Sequence, residues 1–124
     1  MANETKLGVA PNVGGLLCYV PCCVGFVVSI VAVIIEKENR FVRFHAFQSL
    51  LLHGAAIALA IGLQIGTFTI ATFSSILAFL FSLLGFVLGL GLLGITIFLM
   101  IKANGNEEFK LPVLGDMASQ WANQ

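Results

Sequence analysis

His45, Ser49, His53, Ala60, Gln64 and Thr67 recur at helical spacing within a stretch that carries no formal charge. Polar groups in hydrocarbon must find hydrogen-bond partners or they cost several kcal/mol each. The intramembrane line Ser49, His53, Gln64 therefore has two readings. One is a hydrated path, a proton relay or a ligand contact. The other is hydrogen bonding between helices, worth about 0.6 to 1.7 kcal/mol per contact. No acidic residue shares the stretch, which tells against a relay.

At the head of this line stands the run Asn39-Arg40-Phe41-Val42-Arg43-Phe44-His45-Ala46-Phe47-Gln48-Ser49. Arg40, Arg43, His45 and Gln48 are its candidates for lipid or partner contact. A guanidinium holds phosphate through paired N–H groups, or snorkels to the membrane surface as an anchor. Cys18 and Cys22 lie four apart, and soft thiolates suit copper(I) or zinc. No third ligand sits at diagnostic spacing, so inert packing is the expected role and no metal or other cofactor is expected. The six acidic residues all lie outside the apolar segments, and no GxSxG, HExxH or phosphate-loop pattern occurs. Catalysis needs a positioned nucleophile, acid–base pair or metal site. The chain is therefore expected not to be an enzyme.

Composition states what must position these residues. Hydrophobic residues make up 59% and charged residues only 10%, against about 25% charged in soluble domains. With a mean hydropathy of +1.03, the chain belongs to the membrane class. Its 124 residues form one domain, and its zero formal net charge offers no basic patch for nucleic acid. The first apolar run follows a single lysine, Lys6, and lasts about 20 residues, longer than the ~7–15 of a signal h-region. It is expected to be retained.

Three spans are expected: 16–35, 45–67 and 76–101, followed by a short amphipathic tail at 102–124, in an all-α membrane protein. Each is long enough for the ~30 Å hydrocarbon core at 1.5 Å rise per residue. Pro21 should kink the first span or mark where its regular helix begins. The cluster of Thr and Ser at 67–75 should turn the chain between the second and third. Asn39 is expected to cap the helix that starts at Arg40, Glu36 to pair with Arg40, and Asp116 to cap a final helix. Three spans put Lys37, Arg40, Arg43, Lys102 and Lys110 on one side and Lys6 on the other. By the positive-inside rule the N-terminus is then outside and the C-terminus cytoplasmic, in the cell (inner) membrane. Gly54, Ala58, Gly62 and Gly66, with Gly85 and Gly89, are small-xxx-small patterns that admit close helix packing.

Several of these motifs carry a family resemblance. Leu17-Cys18-Tyr19-Val20-Pro21, the Arg-Phe-His-Ala-x-Gln-Ser element at 43–49, and Phe109-Lys110-Leu111-Pro112-Val113-Leu114-Gly115-Asp116 resemble a bacterial membrane domain of unknown function. That domain is similar to the twenty-kilodalton Tic component of the chloroplast inner-envelope import translocon. The resemblance spans roughly residues 14–118 and implies no catalytic residues. The expected function is a small non-enzymatic subunit of a larger membrane assembly, or a homo-oligomer. Alternatives are a translocon-like or small-solute channel component, and an anionic-lipid-binding protein. Membrane lipids and other membrane subunits, or a second copy, are the expected partners.

Overall fold

The computed structural model describes residues 5–21 and 23–124. Among them the chain is all helical: α1 (Pro11–Leu17), α2 (Cys23–Ile35), α3 (Arg40–Ala71), α4 (Ser75–Asn104) and α5 (Leu114–Ala122). Two helices, α3 and α4, are long and apolar enough to cross a membrane. Three spans were expected, and the difference lies entirely in the first apolar run.

That run breaks at Cys18–Pro21 instead of bending. Pro21 has no N–H to donate and cannot continue a helix from α1. Tyr19 and Val20 instead donate to Leu16 O and Leu17 O in tight turns of 3.0 and 3.3 Å. The carbonyls freed by the break find donors elsewhere. Ser49 Oγ donates to Cys18 O at 2.5 Å, and the Gly25 N–H donates to Val20 O at 3.1 Å. What remains is α2, whose 13 residues reach only about 20 Å.

The two short helices form a re-entrant V. Gly14 lies against Val42 and Gly15 against His45 and Ala103, so the chain enters beside the start of α3. It turns near Ser49, and α2 returns past His53, which packs on Phe26 with ring centroids 5.8 Å apart. It ends where Arg43 reaches Val33 O. Leu7 N donates to Glu36 Oε1 at 2.8 Å, and Asn12 Nδ2 to Asn104 O at 3.1 Å. The described N-terminal residues therefore lie at the same end as the start of α3 and the end of α4. For the described residues from Thr5 onward, the expected placement at the end opposite the C-terminal residues does not hold. Lys6, Lys37, Arg40, Arg43, Lys102 and Lys110 all gather at that end, and the far turn, 72–74, carries no charge.

Side-chain caps set both long helices. Asn39 Oδ1 accepts from Val42 N at 3.2 Å, as its position before Arg40 leads one to expect. Ser74 Oγ accepts from Leu77 N at 3.3 Å. The turn thus falls inside the Thr/Ser cluster but at its end. Thr67 and Thr69 stay helical because each hydroxyl donates back to the carbonyl four residues earlier, both at 2.8 Å, a bond that lets polar side chains sit in a helix.

The core is confined to one end. Its clusters are Cys18, Ala32, Val42 and Ala46; Tyr19, Leu52, Leu99 and Ala103; and Phe44, Ala118 and Ala122. These join α1, α2, α5 and the adjoining ends of α3 and α4 into a packed head. Beyond Leu52 on α3 and before Leu99 on α4, Ala78 is the one buried residue. The bare part of α3, residues 54–71, is about 27 Å long, close to the ~30 Å hydrocarbon core.

Candidate functional site

The residues of the 39–49 run converge with both ends of the chain on the head. Gln48 is fully buried and uses its whole carboxamide. Its Nε2 donates to Tyr19 Oη at 2.9 Å and to Phe109 O at 2.9 Å, while its Oε1 accepts from Leu111 N at 2.9 Å. It thereby pairs with the tail's backbone as a neighbouring strand would. Tyr19 Oη lies 3.0 Å from His45 Nδ1, so a chain of bonds runs from Gln48 through the Tyr19 hydroxyl to His45. With the Tyr19 hydroxyl donating to Nδ1, His45 carries its proton on Nε2, which is buried with no partner among the described residues. The rings of Phe41, Phe44 and Tyr19 surround it edge-on at 4.5, 5.1 and 5.5 Å between centroids.

The two arginines close the head from outside. Arg40 Nη1 reaches both carboxylate oxygens of Glu108 at 2.6 and 2.8 Å. Its Nη2 donates to Ser119 Oγ at 3.0 Å, and its Nε to Asn123 Oδ1. The expected Glu36–Arg40 pair does not form, because Glu36 turns inward to Leu7 N. Arg43 is buried and donates to Val33 O at 3.3 Å and Trp121 O at 3.4 Å. Those carbonyls lie in the last turns of α2 and α5, where the helix dipole is negative; Trp121 O also accepts from Gln124 N at 3.3 Å. Its guanidinium also lies 5.3 Å from the Phe47 ring centroid. Arg43 is thus a shared cap for two helix C-termini. Arg43→Met is expected to cost about 2–3 kcal/mol, seen as a lower thermal midpoint in detergent, with Arg43→Lys in between; an unchanged midpoint for Arg43→Met would contradict the shared cap.

The tail folds back as its amphipathic sequence suggests, but with a different start. Val113, at φ +66°, stands before α5, and Asp116 lies within its first turn rather than at the cap. Phe47 packs on Trp121 at 5.7 Å between centroids.

The polar line on α3 is divided at His53. His45 and Ser49 are internal to the head, and His53 Nδ1 lies 2.8 Å from Ser49 O, bonded along its own helix. Gln64 and Thr67 lie on the bare hairpin, where they line an open groove of about 340 Å³ with Ala60, Leu63, Phe81, Ser82, Gly85 and Phe86. His45, Ser49, His53 and Gln64 therefore do not share one surface. The small residues divide as well. Gly66 admits the Phe81 ring and Gly85 adjoins Leu63, whereas Gly54, Gly62 and Gly89 meet nothing within 4 Å, and Ala58 is exposed. Cys18 is buried and its thiol donates to Gly14 O at 3.3 Å; Cys22 lies outside the described residues. Missing from the sequence reading were Tyr19 and Glu108 as partners, and Leu7 N in place of Arg40 as the partner of Glu36. Only the proximity of Tyr19 to Pro21 could have hinted at one of them.

A model of the magnetosome magnetite crystal formation protein family matches residues 3–118. The chain belongs to that family. It is 38% identical over 120 residues to a UPF0132 membrane protein of Methanocaldococcus jannaschii, covering 97% of this chain and 96% of the relative. A UPF0132 membrane protein of Archaeoglobus fulgidus is 35% identical over 109 residues, covering 88% and 92%. A second M. jannaschii protein is 28% identical over 119 residues, covering 93% and 72%. These relatives are archaeal and are named as membrane proteins, so the bacterial character and the translocon kinship are not what the similarities yield. No solved structure matches the chain. The chain is a membrane protein of a family whose function is not known.

Proposed function

We propose that the chain is a non-enzymatic integral membrane protein that serves as a small subunit of a larger membrane assembly. The observation that carries this reading is the contrast between its two halves. In the head, Arg40, Gln48, Tyr19 and Ser49 have partners within the chain and Arg43 has them for both terminal nitrogens, leaving Arg43 Nε and His45 Nε2 as the buried atoms without one among the described residues. In the hairpin, a polar groove and several small residues have none among the described residues. Lipid supplies no hydrophobic drive for helix association, so polar and close-packing contacts provide it. The family's name adds magnetite crystal formation as the setting of some members; the reading here takes from it only the membrane.

The hairpin inserts from the cytoplasmic side of the cell membrane, leaving both termini inside. Support comes from the six cations at the head end against none at the far turn, because basic residues are retained on the cytoplasmic side. In a cysteine-free background, Phe73→Cys is expected to label from outside intact cells, and Ala2→Cys and Asn123→Cys only after permeabilisation. External labelling of both terminal positions contradicts the orientation. With Arg40 and Arg43 engaged internally, contact with anionic headgroups falls to the exposed Lys6, Lys37 and Lys110. The assembly itself is tested by extraction in mild detergent, sizing and mass spectrometry. A particle larger than one chain, or co-purifying membrane subunits, is expected; a strictly monomeric, partner-free particle contradicts it.

A further inference from the structure

We propose that the groove around Gln64 is a two-fold interface that takes the same groove of a second copy of this chain. This deepens the assembly reading above and rests on it. Gln64 sits in the middle of the bare hairpin, exposed to what the membrane makes hydrocarbon, and makes no hydrogen bond among the described residues. Its neighbours cannot satisfy it fully. The hydroxyls of Thr67 and Ser82 already donate to Leu63 O at 2.8 Å and Phe79 O at 2.7 Å. They offer only lone pairs, so the Gln64 carbonyl lacks a donor and its two amide hydrogens lack committed acceptors. An unsatisfied amide in hydrocarbon is strongly disfavoured.

The identity of the occupant follows from charge and depth. Every cation lies at the head end, so any two copies insert in the same sense. A two-fold axis relating them then runs along the bilayer normal, and a residue facing the axis meets the same residue at the same depth. At the depth of Gln64 a second copy presents another carboxamide, which is both donor and acceptor. Two reciprocal N–H to O=C bonds satisfy both. The surround suits such an approach. Ala60, Thr67, Ser82 and Gly85 are small and leave the open groove, and small residues let helix backbones come close. An unrelated helix would have to place a matching amide or carboxyl group at that depth; a second copy does so by construction.

The test uses the purified full-length chain in lipid vesicles with no other protein. In a cysteine-free background, Gln64→Cys is expected to form a disulfide-linked dimer on mild oxidation. Leu59→Cys, on the opposite side of α3, is expected to form little. In a fluorescence-transfer dimerisation assay in the same vesicles, Gln64→Leu should weaken association by about 3- to 20-fold per lost hydrogen bond. Gln64→Asn, which keeps the carboxamide, should lose less. Helical content identical to the parent chain shows that these variants fold. Equal cross-linking at 59 and 64, none at 64, or unchanged association of Gln64→Leu overturns the interface. If the pure chain is monomeric in vesicles while native extracts still give a larger particle, the two-fold interface is overturned and the assembly reading stands. If the native particle is monomeric and partner-free as well, both fall.

Discussion

Gly25→Ala is expected to abolish the re-entrant V with a large loss of stability. A Cβ at position 25 would stand 2.3 Å from Val20 O, 2.8 Å from Cys18 O and 2.9 Å from Val20 N. All three are backbone atoms of the turn that joins α1 to α2, so none can swing aside as a side chain would. The same turn supplies the Gly25 N–H bond to Val20 O and the Cys18 carbonyl that receives Ser49. Moving it breaks both. The expected cost exceeds about 4 kcal/mol, in the range reserved for backbone clashes and lost buried networks. Thermal unfolding in detergent, followed by circular dichroism, measures it. Gly54→Ala is the control: nothing lies within 4 Å of its added methyl, and alanine is the better helix former by about 1 kcal/mol. Equal midpoints for the two variants would contradict the close approach at Gly25.

The second large effect is expected at Gln48. Gln48→Leu removes three hydrogen bonds at once; the Phe109 carbonyl and Leu111 N–H lose their side-chain partner, and the Tyr19 hydroxyl keeps only His45 Nδ1. Each polar group left without a partner costs about 1–3 kcal/mol. The tail from Phe109 onward should detach while the hairpin remains. Limited trypsin digestion of vesicles with the head outward reads this directly, because Lys110 lies between the two backbone contacts. Cleavage after Lys110 should be slow in the parent chain and at least tenfold faster in Gln48→Leu. Gln48→Glu keeps the acceptor for Leu111 but loses both donors, and should fall between. An unchanged rate in Gln48→Leu would mean that Arg40 with Glu108, and the packing of Phe44 on Ala118 and Ala122, hold the tail without it.

These two residues also mark where the sequence was legible. The apolar run from Phe44 to Ile101 and the cap at Asn39 are local features, and both long helices follow from them. Pro21 left two outcomes open, a kinked span or a fresh start, and the choice between them depends on what receives the freed carbonyls. Ser49 does so from 31 positions away. Local pattern carries no trace of that bond, so the run reads as a third span. Gln48 is similar: its partners lie 29, 61 and 63 positions off, and two are backbone groups. Arg43 donates to carbonyls as well, which no residue type announces. The Thr/Ser cluster misplaced the start of the turn because Thr67 and Thr69 satisfy themselves within the helix. At Gln64, by contrast, a polar residue in an apolar run was visible from the start, and the fold added only that it makes no hydrogen bond among the described residues.

The first apolar run turns back, bringing the described N-terminal residues to the end where α4 finishes. Asn12 and Asn104, whose side chains meet there, test it most directly. With the native cysteines removed, Asn12→Cys and Asn104→Cys together should cross-link within one chain, in membranes, with a short bifunctional thiol reagent. A first run that crossed the bilayer would hold these positions about 30 Å apart, and absence of the cross-link, with both thiols shown to be reactive, would contradict the re-entrant fold.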